Sequence, residues 1–247
     1  MRWALILILL FSWSAGGPSY AYDASGLAMR DKDTPIYYPV RYLEKTDIRI
    51  DGTADEPGWG KCVVIRPLHA TWENDKGDNT SFRACFSRDY FYFSFKVEDT
   101  TPVVAKYTDE NSVAAGDRVE LFFSADANMH DYYCMEISPE ARVLDYQASY
   151  YRIFDSDWNM PGADIRSQRH ENGYSIEGRL PLRFFKRLAR SASIKGRSIR
   201  AGIFRADKKG GGTDTGFTWF TWKTPQVDTP DFHIPSALGV FQFGEDQ

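Results

Sequence analysis

Residues 90–97 alternate strictly along the chain, and this pattern constrains the fold more than any other feature of the sequence. Phe91, Phe93, Phe95 and Val97 share one face of an extended segment, opposite Tyr92, Ser94 and Lys96. Strict alternation predicts a β-strand with one face on a core and the other toward solvent. Residues 83–86 precede this strand across a three-residue turn, so the two segments together predict a β-hairpin.

The same pattern recurs through most of the chain. Alternating or apolar segments occupy residues 47–50, 119–123, 132–138, 142–147, 174–180, 199–206 and 239–243. Turn pairs such as Asp51-Gly52 and Asn172-Gly173 separate them. This spacing predicts an all-β fold, an antiparallel β-sandwich. One short helix is expected over residues 182–189, after Pro181, against one end of the sandwich.

The first residues have the features of an export signal. Arg2 is followed by an apolar run that is too short to span a bilayer, and Ser19-Tyr20-Ala21 forms a small-x-small cleavage site. We expect a signal peptide over residues 1–21, an N-terminal extension over 22–45 and the folded domain over 46–247. The mature protein is then secreted or periplasmic, with no membrane contact after cleavage.

Charge and cysteine content exclude several function classes. A net charge of -4 and a pI near 5.6 argue against nucleic acid as a partner. Zinc is disfavoured because the three cysteines and four histidines are widely spaced. Cys62 and Cys85 lie in predicted early strands and could form a disulfide that leaves Cys134 as a thiol, but sequence does not select the pairing.

Two C-terminal runs, residues 219–225 and 231–235, concentrate aromatic residues beside two prolines. Trp222, Phe232 and His233 lie close to Pro225 and Pro235, which disfavour a helix or a central strand. We therefore expect a surface loop whose exposed aromatic faces suit flat apolar ligand faces, including the C–H faces of sugars. The alternative is a large turn whose aromatics only cover the edge of the core.

The alternation also places two carboxylates together. If Val119 and Met135 point into the core, Glu120 and Glu136 share the opposite face of adjacent strands. Such a pair can be a glycosidase acid and base, acceptors for sugar hydroxyls, calcium ligands, or part of a solvated surface.

Four sequence elements occur in the order found in family 9 carbohydrate-binding modules. They are Ile50-Asp51-Gly52 with Asp55-Glu56 and Trp59, then Asp117-Arg118-Val119-Glu120-Leu121-Phe122-Phe123, then Asn172-Gly173-Tyr174-Ser175-Ile176-Glu177, then Trp222, Pro225, Phe232-His233-Ile234-Pro235 and Gly239. The chain resembles the stand-alone, family 9-like branch from about residue 46 to 243. The resemblance implies a sandwich of the family 9 or DOMON-like type and non-catalytic binding of an oligo- or polysaccharide. It also implies association with glycoside hydrolases as one setting for the module.

The resemblance further implies a set of ligand contacts. Phe232 takes the position of one of two aromatic clamp residues of the family, while Ala114 takes the other, so the second wall is missing there. We expect Trp158 to replace it from a neighbouring loop. Glu120 matches a position that accepts hydrogen bonds from sugar hydroxyls. Arg205 either donates to the same ligand or forms a buried ion pair with Glu120 or Glu136. The expected carbohydrate site comprises Trp158, Trp222, Phe232, Glu120, Glu136, Arg205 and His233.

The family also binds calcium, and Asp51, Asp55 and Glu56 surround a tight turn that suits a structural calcium ion. The alternative is ordinary turn chemistry. No organic cofactor is expected.

Two other functions remain open at this point. One is a haem-binding domain of related shape, with Met129, His130 and Met135 as candidate ligands, although no CxxCH motif is present. The other is a hydrolase that uses Glu120 and Glu136, although no G-x-S-x-G motif is present.

Overall fold

The computed structural model describes residues 35–73, 78–209 and 216–244. The expected signal peptide and most of the expected extension lie outside these ranges. The described residues form fourteen strands: β1 Tyr37–Tyr42, β2 Val63–Ile65, β3 His69–Ala70, β4 Ser81–Phe86, β5 Tyr90–Glu98, β6 Arg118–Ser124, β7 Asp131–Ile137, β8 Val143–Ser149, β9 Ile153–Asp155, β10 Asp164–His170, β11 Gly173–Pro181, β12 Ser198–Lys208, β13 Phe217–Thr221 and β14 Gly239–Phe243. Three short 3₁₀ helices span Pro57–Lys61, Glu110–Ala115 and Pro235–Ala237.

The strands form two layers joined at β1. One layer runs β10-β11-β5-β4, with β2 also on β4; the other runs β14-β12-β6-β7-β8-β9, with β13 on β12 and β3 on β13. The first four residues of β1 pair in parallel with β14, and its last two pair in parallel with β4. The other pairings are antiparallel, so the predicted antiparallel β-sandwich is confirmed. Residues 37–42, expected in an extension, belong to the sandwich.

The core lies between the layers and includes the inward residues that alternation assigned to β5, β6 and β7. Val119, Leu121 and Phe123 from β6 meet the aromatic face of β5, and no part of these side chains is exposed. The predicted helix is confirmed as α1, Leu182–Leu188, and it buries Phe184 and Phe185 against one end of this core.

The second face of β5 differs from the prediction. Tyr92 and Ser94 are buried rather than solvated, and Leu43, Ile48 and Trp59 from the preceding segment pack in one cluster with Tyr92. Residues 47–50 form no strand.

The segment that covers β5 is attached through one carboxylate on β11. The backbone amides of Asp51 and Gly52 donate to Glu177 Oε2 at 3.0 and 2.9 Å. The indole Nε1 of Trp59 donates to Glu177 Oε1 at 2.8 Å. Glu177 therefore joins the first turn of the domain to the sheet.

All three cysteines are buried free thiols. Cys62 and Cys85 lie in one cluster and interact through their side chains, whereas Cys134 lies in a different cluster. No helix among the described residues is long and apolar enough to cross a membrane.

Candidate functional site

A cavity of about 330 Å³ opens on the outer face of β6, β7 and β8. The residues of these strands that point away from the core form its base. Its sides come from the segment between β8 and β10, from β13, and from residues 230–233 before β14. The volume lies in the range of roughly 300–1,000 Å³ that is typical of small-molecule sites.

An arginine and two glutamates occupy the base of the cavity. Glu120 and Glu136 are cross-strand partners, and Arg118 lies two residues before Glu120 on the same face of β6. The Arg118 Nε atom lies 3.0 Å from Glu120 Oε1 and 2.6 Å from Glu136 Oε2. Its Nη1 atom donates to the carbonyls of Ala114 and Gly116. The guanidinium is therefore fixed between the two carboxylates.

The three charged groups at the base of the cavity interact with one another. Arg118 Nε, Glu120 Oε1 and Glu136 Oε2 are all buried, and both carboxylate oxygens lie at ion-pair distance from that one nitrogen. Buried polar atoms in native proteins are nearly always paired. Because Arg118, Glu120 and Glu136 also line the cavity, they give its base a charged, polar character.

Burial shifts the protonation of Glu120. Loss of solvent, followed by repulsion from Glu136, raises the pKa of Glu120 to about 8, although Arg118 opposes the shift. Tyr146 Oη donates to the other oxygen of Glu136 at 2.9 Å. Near neutral pH the cavity can thus offer a protonated carboxyl donor at Glu120.

Aromatic rings form one wall. Phe232 stacks on Phe204 with the ring centroids 4.0 Å apart, and Trp219 meets Phe232 edge-on at 5.4 Å. Phe232 is only 5% exposed, while Trp219 is half-buried. The Arg118 guanidinium lies 5.3 Å from the centroid of Trp219. Phe232 thus supports the wall, and Trp219 presents the more accessible ring.

His233 and Asp231 form a second, polar part of the wall. His233 Nδ1 lies 2.9 Å from Tyr132 Oη, and burial, followed by the charge of Arg152, lowers the pKa of His233 to about 4. Asp231 pairs with Arg152 at 2.7 Å and accepts a hydrogen bond from Tyr151 Oη. His233 is therefore neutral near pH 7.

An exposed hairpin lies beside the cavity. The hairpin formed by β8 and β9 presents four residues that are about half or more exposed, Tyr150 and Tyr151 in its turn and Ile153 and Phe154 in β9. Phe154 meets the rings of Tyr146 and His233 edge-on at 5.2 and 5.6 Å. Phe154 therefore extends the aromatic lining toward solvent.

The chain matches a known family over most of its length. Residues 50–244 match the family model described as carbohydrate family 9 binding domain-like. The chain belongs to this family. No curated protein sequence matches it.

Solved structures share the fold of this family 9 domain at low sequence identity. A proposed carbohydrate-binding protein from Bacteroides uniformis is 17% identical, with a TM-score of 0.67 over 85% of this chain and 100% of that chain. A family 9 module from Caldicellulosiruptor kristjanssonii in complex with cellotriose is 15% identical, with a TM-score of 0.56 over 86% and 95% of the two chains. The complex of a family 9 module from the same organism with glucose is 17% identical, with a TM-score of 0.55 over 85% and 97%.

The structure of this family 9 domain brings four of the seven predicted carbohydrate contacts together. Glu120, Glu136, Phe232 and His233 all line the cavity. Trp222 does not, because it is buried in the core against Tyr38 and Phe241. Trp158 lies on the opposite face of the β6–β7 layer, where it contacts Tyr133 and Phe184.

Arg205 was expected beside Glu120 or Glu136, and the structure shows that this expectation is wrong. Arg205 is opposite Val119 in the β12–β6 register, whereas Phe204 is opposite Glu120, so Arg205 points to the other face of the sheet. Its guanidinium pairs there with Asp78, Asp99 and Asp207.

Sequence reasoning missed several residues of the cavity. Arg118 could have been found, because it is two residues from Glu120 in a predicted strand and therefore shares its face. Tyr146 is equally in phase with the outer face of β8. Arg152, Phe154 and Trp219 depend on how the hairpin and β13 fold over the sheet, and no local pattern signals this.

The expected calcium ligands do not converge. Asp51 Oδ1 accepts hydrogen bonds from the backbone and the hydroxyl of Thr53, and Glu56 Oε1 accepts one from the Arg49 amide. Among the described residues, the only carboxylate trio with ligand atoms within 4.8 Å of one another is Asp99, Asp117 and Asp207. The donor set of Asp51, Asp55 and Glu56 thus does not fit a calcium ion in this arrangement, and calcium there stays a prediction.

The haem alternative gains no support. Met135 is buried in the core between the layers, Met129 is buried in the cluster on the outer face, and His130 is exposed and pairs with Asp126. The three candidate ligands therefore do not face a common site.

Proposed function

We propose that this family 9 domain binds a neutral carbohydrate, without catalysis, in the cavity above β6, β7 and β8. The observation that carries the proposal is the base of the cavity, where the Arg118 guanidinium is fixed between the side chains of Glu120 and Glu136, with its Nε atom 3.0 and 2.6 Å from their oxygens. A sugar presents adjacent hydroxyls, each of which can both donate and accept. Such hydroxyls match a guanidinium flanked by two carboxyl groups.

The charges of the lining support an uncharged ligand. The cavity is lined by two arginines, Arg118 and Arg152, and by three carboxyl side chains, those of Glu120, Glu136 and Asp231. With Glu120 largely protonated near neutral pH, these charges almost cancel. A lining with almost no net charge does not attract an ionic ligand. It can still form hydrogen bonds with a neutral ligand that carries many hydroxyls.

The aromatic wall supports a sugar in particular. Trp219 and Phe154 present accessible ring surface on two sides of the polar base. Aromatic faces pack well against the apolar C–H face of a pyranose, while its hydroxyls reach the polar groups. The relatives in complex with cellotriose and glucose make a glucose-based ligand the first candidate.

A binding role is favoured over hydrolysis by the same geometry. A glycosidase acid and base need separate access to the scissile bond and to a nucleophile or water. Glu120 and Glu136 instead share one fixed guanidinium and are both buried. We further propose that the domain is exported by its N-terminal signal and delivers its ligand to, or holds it for, glycoside hydrolases.

Calorimetric titration with cello-, xylo-, manno- and galacto-oligosaccharides tests this proposal. We expect binding to one neutral series, loss of that binding in Glu120→Ala, and no release of reducing sugar on prolonged incubation. Reducing sugar that is released by the wild type and not by Glu120→Gln would instead establish a hydrolase. The absence of binding to every series would contradict the proposal.

A further inference from the structure

A second cavity lies on the opposite face of β7 from the Glu120 site. It measures about 860 Å³ and is bounded by the start of β7, the second half of α1 and residues 189–198. Tyr133 enters it from β7, while Glu136 on the same strand faces the first cavity, because residues 133 and 136 point to opposite faces. The two cavities are thus separated by the sheet.

Three aromatic rings form the base of this second cavity. Tyr133 lies 4.9 Å from Trp158 and 5.2 Å from Phe184 between ring centroids, and Trp158 lies 6.2 Å from Phe184. Phe184 is buried by its packing in the core, whereas Tyr133 and Trp158 are partly accessible. The base therefore offers a rigid, partly exposed aromatic surface.

Four arginines surround this aromatic base. Arg183 and Arg187 come from α1, and Arg190 and Arg197 come from the segment that follows it. All four are exposed, and within the described part of the chain none of their guanidinium groups has an ion-pair or hydrogen-bond partner. They form a concentration of positive charge on a protein whose net charge is -4.

The acidic groups of the lining do not cancel this charge. Asp126 already accepts hydrogen bonds from the Asn128 amide and from His130 Nδ1. Asp131 accepts one from Ser149 Oγ. Two carboxylates against four guanidinium groups leave an excess of two positive charges, in contrast to the near-neutral first cavity.

We propose that the second cavity binds an acidic saccharide, a sugar chain that carries carboxylate or sulfate groups. The sugar ring packs on Trp158 and Tyr133, and its anionic groups pair with the arginines, whose planar donors match carboxylate and sulfate oxygens. This second site is independent of the proposed neutral-sugar site. The protein then carries two saccharide sites of different charge preference on opposite faces of one sheet.

Calorimetry of the mature chain tests this proposal with two anionic probes, an oligogalacturonate and a sulfated oligosaccharide, against a cello-oligosaccharide of equal length. We expect an anionic probe to bind, with affinity that falls as salt is added. Arg187→Glu should weaken this binding by about tenfold or more. Arg169→Glu, an equal charge change at an exposed arginine on β10, should leave it within about twofold.

Two further variants separate the sites. Trp158→Ala should weaken binding of the anionic probe while its circular dichroism spectrum stays that of the wild type. Glu120→Gln should retain that binding, so failure of the neutral-sugar proposal does not affect this test. The proposal would be overturned if Arg187→Glu and Arg169→Glu lost the same affinity for the anionic probe. It would also be overturned if the protein preferred anionic lipid vesicles or free sulfate to both saccharides.

Discussion

Glu120 and Glu136 are directly opposed across β6 and β7, and both carboxylates lie within 3.0 Å of the same Arg118 Nε atom. Two buried carboxyl groups beside one cation leave a charge imbalance, which the structure relieves by favouring protonation of Glu120. This arrangement sets the charge at the base of the cavity and the way that charge changes with pH.

The raised pKa of Glu120 predicts a pH-dependent stability. Between the usual value of 4.5 and about 8, the unfolded chain releases the Glu120 proton while the folded protein keeps it. The contribution of Glu120 to the free energy of unfolding therefore decreases as the pH rises through this window. Denaturant unfolding of the wild type and Glu120→Gln should show the wild type losing stability relative to the variant from about pH 5 to about pH 8. If the free energy of unfolding changes with pH in the same way in both proteins, the pKa of Glu120 is not raised.

His233 predicts the opposite slope at lower pH. Because burial, followed by Arg152, lowers its pKa from 6.5 to about 4, the folded protein keeps a neutral imidazole while the unfolded chain takes up a proton. The stability that His233 contributes is fully present above pH 6.5 and is lost as the pH falls toward 4. His233→Gln should therefore lose less stability than the wild type over this window, as measured by denaturant unfolding. If the variant and the wild type lose the same stability between pH 6.5 and 4, the pKa of His233 is not lowered by burial.

Alanine variants of Phe232 and Phe154 should both weaken sugar binding, but only the Phe232 variant should lose much stability. Phe232→Ala removes a ring stacked on Phe204, and we expect a loss of about 3–5 kcal/mol of stability together with weaker binding. Phe154 is 47% exposed, so Phe154→Ala should change stability by less than about 1 kcal/mol. It should still lower sugar affinity by roughly two- to tenfold. Thermal unfolding and calorimetry on both variants check this, and unchanged affinity in Phe154→Ala would remove the hairpin from the site.

Arg205 should matter for folding and not for sugar binding. Arg205→Met leaves Asp78, Asp99 and Asp207 without their shared cation, and we expect a loss of about 3–5 kcal/mol. Sugar affinity of the folded fraction should equal that of the wild type, since Arg205 lies on the other face of the sheet from Glu120. A variant with normal stability and weakened sugar binding would reverse this assignment.

Alternation in the sequence predicted most of the fold because the long strands have one face in the core. For this reason the prediction of which residues of β5, β6 and β7 point into the core was correct. The prediction that Glu120 and Glu136 share a face of adjacent strands was also correct. Alternation predicts which residues share a face, but it does not reveal what covers that face. The burial of Tyr92 under Trp59 was therefore missed.

The aromatic residues show a second limit. Trp222 and Phe232 both belong to the C-terminal aromatic segment, yet Trp222 packs in the core and Phe232 lines the cavity. Which of the two side chains enters the core is set by the path of the loop across the sheet. That path is determined by long-range packing. Trp158 was predicted to replace a missing clamp residue, but its loop leads to the opposite face and a different cavity.

A crystal structure of the mature protein with its best neutral oligosaccharide tests the central claim most directly. We predict one sugar ring against Trp219 and Phe154, with its hydroxyls hydrogen-bonded to Arg118, Glu120 and Glu136. Neutral sugar bound instead between Trp158 and α1, or on the β10 edge of the sandwich, would contradict the assignment of the Glu120 cavity as the carbohydrate site.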